Sequence, residues 1–188
     1  TVTMTVTETV TPTLTITRTF TPTATPTNTP AGEGIASMSP GAVTANSSGN
    51  TMIITYTAGS TAWADSPGYG TLRITVPSGW TAPNVNPVAG YFTVDVKGGT
   101  LSAGGRSVIG QDMIIKVYGL PANSGQILVT YGASPGQVTA GSAGTACFNV
   151  RTAPSGDSVL GIENPPCVTV EAPTATVTAA WGWPATAT

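Results

Sequence analysis

The chain has 188 residues, a formal net charge of -2, only 7% charged residues and no histidine. That length suits one core-forming domain with extensions. The absence of histidine excludes Ser-His-Asp and Cys-His catalytic arrangements, and the absence of any basic cluster removes the electrostatic footprint of a nucleic-acid binder.

Few charges together with few apolar residues would signal disorder, but 40% of this chain is hydrophobic and the apolar positions alternate. With 23 glycines and 16 prolines the composition indicates short strands and many turns.

Residues 1–20 open the chain with strict alternation: every odd position is threonine, a pattern that runs on to Thr29. Between them lie Val2, Met4, Val6, Val10, Leu14, Ile16 and Phe20, interrupted by Glu8, Pro12 and Arg18. A period of two puts the hydroxyls on one face of an extended strand and the apolar side chains on the other. The β-branched residues favour that conformation. A helix would smear both residue types around its surface.

Such a strand cannot bury its apolar face alone, so it must dock on a sheet. Twenty extended residues span about 65 Å at roughly 3.3 Å each. A domain of about 140 residues measures about 40 Å across. The strand is longer than the body it precedes, which favours docking on a neighbouring copy.

In residues 21–33 the apolar positions give way to proline. An extended, semi-rigid spacer is predicted. Thr21, Thr23, Thr25, Thr27 and Thr29 are candidate O-glycosylation sites of a mucin-like kind, the alternative being a bare spacer.

Residues 34–172 are predicted to form a β-sandwich, with strand-like runs at 34–40, 50–58, 70–80, 91–99, 100–105, 111–120, 125–133, 145–153 and 166–172. A barrel is the alternative. Leu72, Ile74 and Val76 share one face against Thr71, Arg73 and Thr75; Met113, Ile115 and Val117 likewise oppose Ile114, Lys116 and Tyr118. Phe148 and Val150 oppose Asn149 and Arg151, and Val168 and Val170 oppose Thr169 and Glu171. The glycine-rich stretch 98–106 lacks the Lys-Ser/Thr of a phosphate loop and is expected to be a hairpin.

Cys147 and Cys167 lie in two strand-like runs and suit one disulfide between neighbouring strands. Two buried free thiols are the alternative, and a metal site ranks below both without further cysteine or histidine ligands. A disulfide implies an oxidising, extracytoplasmic compartment.

The segments SMSPGAVTANSSGNTMIITYTA, LRITVPSGWTAP and LPANSGQILVTYG, with the closing VTV, give this region its character. In them the chain from Ile35 to Val170 resembles the immunoglobulin-like sandwich modules of bacterial surface proteins. The resemblance implies an immunoglobulin-like antiparallel fold and a role as stalk, adhesin or filament subunit, without a catalytic site. The antibody-type Cys…Trp…Cys spacing is absent, since no tryptophan lies between Cys147 and Cys167.

Residues 173–188 form a C-terminal extension in which Trp181 and Trp183, two apart, would present both indoles on one side of an extended chain. They are a candidate interface anchor, or else fold back on their own sandwich. No stretch reaches the roughly 18 apolar residues of a membrane span. No leader peptide is present, and a start at Thr1 fits a processed product.

The eight acids are dispersed, so no catalytic carboxylate pair, metal site or cofactor site is expected. Trp63, Tyr69, Trp80, Tyr91 and Tyr118 could pave a carbohydrate-binding face. The preferred reading places Trp80 over the end of the core and the tyrosines at strand edges.

The expectation that joins these parts is a non-enzymatic subunit of an extracellular, pilus-like cell-surface filament. Its partner is itself, head to tail, with the leading strand of one copy inserted in the sandwich of the next. The alternative is a cell-surface adhesion or carbohydrate-binding module, with glycans as partners, on a glycosylated Thr/Pro stalk. Ice binding by the threonine ladder ranks low, because one strand makes a line and not a flat array.

Overall fold

The computed structural model describes residues 32–174, and there is no helix among them. The readings of the Thr-alternating strand, of the Thr21–Thr29 glycosylation sites and of Trp181 and Trp183 lie outside the described residues.

In chain order the strands are β1 (Ile35–Ser39), β2 (Ala42–Thr44), β3 (Met52–Thr57), β4 (Gly70–Thr75), β5 (Phe92–Lys97) and β6 (Thr100–Ile109). Then come β7 (Asp112–Tyr118), β8 (Gln126–Tyr131), β9 (Gly144–Cys147), β10 (Asn149–Ala153), β11 (Leu160–Gly161) and β12 (Cys167–Glu171). They form an immunoglobulin-like all-β sandwich. One layer has the order β1-β3-β8-β5, the other β11-β10-β4-β7-β6, and β2-β12-β9 makes a short third strip. Pairing is antiparallel throughout except between β2 and β12.

Alternation decides which side chains meet between the layers. Met52, Ile54 and Tyr56 of β3 and Ile127, Val129 and Tyr131 of β8 are fully buried. So are Leu72 and Ile74 of β4 and Met113, Ile115 and Val117 of β7 on the facing sheet. A fully buried aliphatic or aromatic side chain contributes roughly 1.5–3 kcal/mol, and these four central strands carry most of the core. Trp80 covers one end of the core as expected, edge-on to Phe148 with ring centroids 5.5 Å apart. Phe148 in turn meets Tyr131 at 6.2 Å.

Two local expectations are refined and a third is met. The run 145–153 is two strands that part at Phe148, whose N–H makes the last bond on the β12 side, to Pro166 O at 2.9 Å. Its first half pairs with β12 and its second half with β4.

The stretch 98–106 is not a hairpin. Gly98 and Gly99 carry the chain from β5 in one layer to β6 in the other, and the hairpin lies at Gly110–Gln111, joining β6 to β7. Glycine marked a turn correctly, but a turn signal does not say which strands it joins.

Cys147 and Cys167 sit directly opposite one another on β9 and β12, with Cα atoms 4.0 Å apart, and form the expected disulfide.

Candidate subunit interface

Strands β5 and β6 are consecutive in the chain but lie at the edges of opposite layers, on the same side of the sandwich. Among the described residues neither has a second ladder partner. Between them runs a seam lined by apolar side chains that are only partly covered: Val85, Val94, Val96, Leu101 and Val108 all pack against the core. A cavity of about 420 Å³ opens there beside Val85, Leu101, Gly104, Gly105 and Arg106.

The sequence makes this edge in two ways. On β5, Phe92 directs its backbone away from β8: its N–H donates to Asn84 O and its O accepts from Arg106. Strand backbone groups alternate in direction, so the N–H and C=O of Val94 and Val96 also point to the open side.

On β6, four residues separate Leu101 from Arg106 where one residue separates their partners Val117 and Ile115. This bulge contains Gly104, at φ +66°. It also contains Gly105, where a Cβ would lie 2.7 Å from Lys116 O. The bulge interrupts the strand where a regular edge would pair side by side with any passing strand.

The opposite side of the sandwich is where the chain joins the domain. Gly32 N–H donates to Gly161 O at 2.7 Å, beside β11. The Glu33 carboxylate accepts from the N–H and the hydroxyl of Thr61, both at 2.7 Å, and from Ser60 Oγ at 3.2 Å. Those Thr61 bonds hold its pKa below the usual glutamate value.

The Glu33 carbonyl accepts from Tyr56 Oη and Thr152 Oγ1, both at 3.0 Å. Burial pushes the Tyr56 phenol up to about 12, so it remains a donor through the neutral range. Gly34 at φ +91° completes the bend, and a Cβ there would lie 2.5 Å from Thr57 O. Glu33 is thus held in place by five hydrogen bonds. From β1 to β5 is three strand spacings, about 14 Å.

The outer face of the five-stranded layer holds the ion pairs. Asp112 accepts from Arg73 at Oδ2 and from Thr75 at Oδ1, and Arg151 Nη2 lies 3.3 Å from Oδ1. Burial alone would raise its pKa, but the Thr75 and Arg73 hydrogen bonds and the two guanidinium charges outweigh it and hold it low. Lys116 Nζ donates to Tyr69 Oη at 3.0 Å and pairs with Asp157 at 3.1 Å. The Tyr69 bond raises the lysine, and the bond donated by Tyr69 Oη lowers Asp157.

These charges satisfy one another around a shallow cavity of about 300 Å³. They were invisible as a group in the sequence, where Asp112 is 39 residues from both Arg73 and Arg151, and Lys116 is 41 from Asp157.

The other sequence-derived candidates are placed as follows. Trp63 and Trp80 are 3% and 5% exposed, so neither offers a stacking surface to a sugar. Tyr69 is tied to Asp157 at 2.8 Å. Among the described residues no three His, Cys, Asp or Glu side chains converge as a metal site, and no helix is long and apolar enough to cross a membrane. The β5–β6 seam itself escaped sequence reading, because nothing local marks two strands as edges of opposite sheets. Comparison with protein-family models and with curated proteins finds no match to this chain.

Proposed function

We propose that the chain is a structural subunit of an extracellular cell-surface filament that polymerises head to tail, without enzymatic activity. The apolar side of residues 2–20 from one copy completes the β5–β6 seam of the next. The observation that carries this reading is the opposition of the two features. Gly32, which residues 1–31 precede, lies beside β11 on the β1 side, while the edges left unpartnered among the described residues lie across the sandwich at β5 and β6.

A strand that leaves from one side and is accepted on the other makes a heterologous contact, which repeats without closing. Added alongside β5, it would pair with the outward backbone of Val94 and Val96 and cover the half-buried valines and Leu101. The cross-strand disulfide suits the oxidising surroundings of a secreted protein. The Thr21–Thr29 spacer would stay in water between bodies, with its hydroxyls open to glycans.

Electron microscopy of the purified chain tests the proposal. Filaments are expected for the native sequence, and dispersed folded particles for Val10→Asp and Ile16→Asp. Filaments from both variants would refute it.

A further inference from the structure

A strictly alternating donor strand has a register problem. A slip of two residues keeps threonine on one side and apolar residues on the other, so shape alone scarcely specifies the pairing. The acceptor seam contains a feature that answers this.

Arg106 projects from β6 across the seam, where its Nη1 donates to Phe92 O at 2.7 Å. Its guanidinium lies 5.9 Å from the ring centroids of both Tyr91 and Phe92. Arg73, Lys116 and Arg151 each have a carboxylate partner. Among the described residues Arg106 has none.

A cation held against aromatic rings in an apolar groove would gain from an anion once a strand excludes water there. Within residues 1–20 the only acid is Glu8. It stands at an even position, so an extended strand carries it on the same side as Val6 and Val10. The uninterrupted stretch 2–11 ahead of Pro12 is ten residues long, as is β6. Pro12, lacking an N–H, would interrupt the ladder there.

We infer that Arg106 is the register-setting receptor for Glu8 of a neighbouring copy. This rests on the strand-exchange reading above. With Glu8 on Arg106, Val6 and Val10 flank the ion pair and cover the seam valines. A slip of two in either direction puts a valine on the guanidinium and exposes or strands the carboxylate, which costs the pair.

The test uses the full chain and the concentration at which it assembles, read by sedimentation. Glu8→Arg and Arg106→Glu should each raise that concentration about tenfold or more, the scale of a lost interfacial charge pair. The double variant should return close to the native value, and a mixture of the two single variants should assemble as an alternating copolymer, since both contacts between unlike copies bring opposite charges together and both contacts between like copies bring like charges together.

Single variants that assemble like the native chain, or a double variant no better than either single one, would overturn the assignment. Val10→Asp separates the two levels. If it blocks assembly while the charge variants do not matter, only the role of Arg106 falls; if it assembles, strand exchange itself falls. Should Arg106→Glu fail to melt cooperatively, Glu8→Arg and Glu8→Gln decide alone, and native-like assembly by both counts against the pairing.

Discussion

Val94→Pro is the substitution that best isolates the acceptor edge. The Val94 N–H points away from β8, so proline removes no bond from the existing β5–β8 ladder. Proline is tolerated on edge strands for that reason. Proline's φ preference and the small loss of packing at a half-buried site should change folded stability by no more than about 1 kcal/mol.

An incoming strand would lose its bond from that N–H and would bury a carbonyl without a partner, at a cost of about 1–3 kcal/mol. At tenfold per 1.4 kcal/mol, that weakens each intersubunit contact by a factor of about 5 to 150. Thermal melts of the unassembled protein and sedimentation across a concentration series separate the two effects. A native melting temperature with a raised assembly concentration is expected. An unchanged assembly concentration would refute the β5 edge as the acceptor, and a melting loss large enough to explain the defect would show that the edge residue serves the fold.

Other expectations concern the body of the domain. Phe148→Ala removes the ring shared by Trp80 and Tyr131. It should cost about 3–5 kcal/mol, lowering the melting temperature by roughly 10 °C or more. Replacing Cys147 and Cys167 together by serine opens a link across a sequence separation of 20. A loss of about 3 kcal/mol is expected from chain entropy, measured by urea denaturation with and without reductant.

Asp112 has a folded-state pKa below its ordinary 3.8. Its contribution is therefore fully present above 3.8 and is lost as pH falls from there through the folded-state value. Asp112→Asn should flatten that part of the acid-unfolding profile while lowering stability at pH 7; an unaltered acid limb would show that the Arg73–Asp112–Arg151 cluster carries no net stability.

Much of the sandwich was legible because alternation is a local signal. Leu72, Ile74 and Val76, or Met113, Ile115 and Val117, declare their inward face within a few residues. Strand partners are not local. The short β2 and β11, with three and two residues, are too brief for periodicity to register. The break at Phe148 is where the chain changes partner from β12 to β4, and the seam depends on which strands end up last in each sheet.

The same limit applies to charge. Dispersed acids are correctly read as dispersed in sequence, yet the fold gathers Asp112 with two arginines and Asp157 with Lys116. Arg106 is the reverse case. Its neighbours in sequence are glycines and serine, and only the folded edge places its charge between two aromatic rings.

The central claim is that one copy donates and another accepts. Val10→Asp spoils the donated strand and leaves the seam intact, whereas Val94→Pro spoils the seam and leaves the strand intact. At a concentration below the raised assembly threshold of Val94→Pro, each variant alone should remain monomeric, and mixing them should give a particle of two chains that grows no further, measured by analytical ultracentrifugation. Monomers persisting in the mixture, or polymers formed by either variant alone, would contradict it.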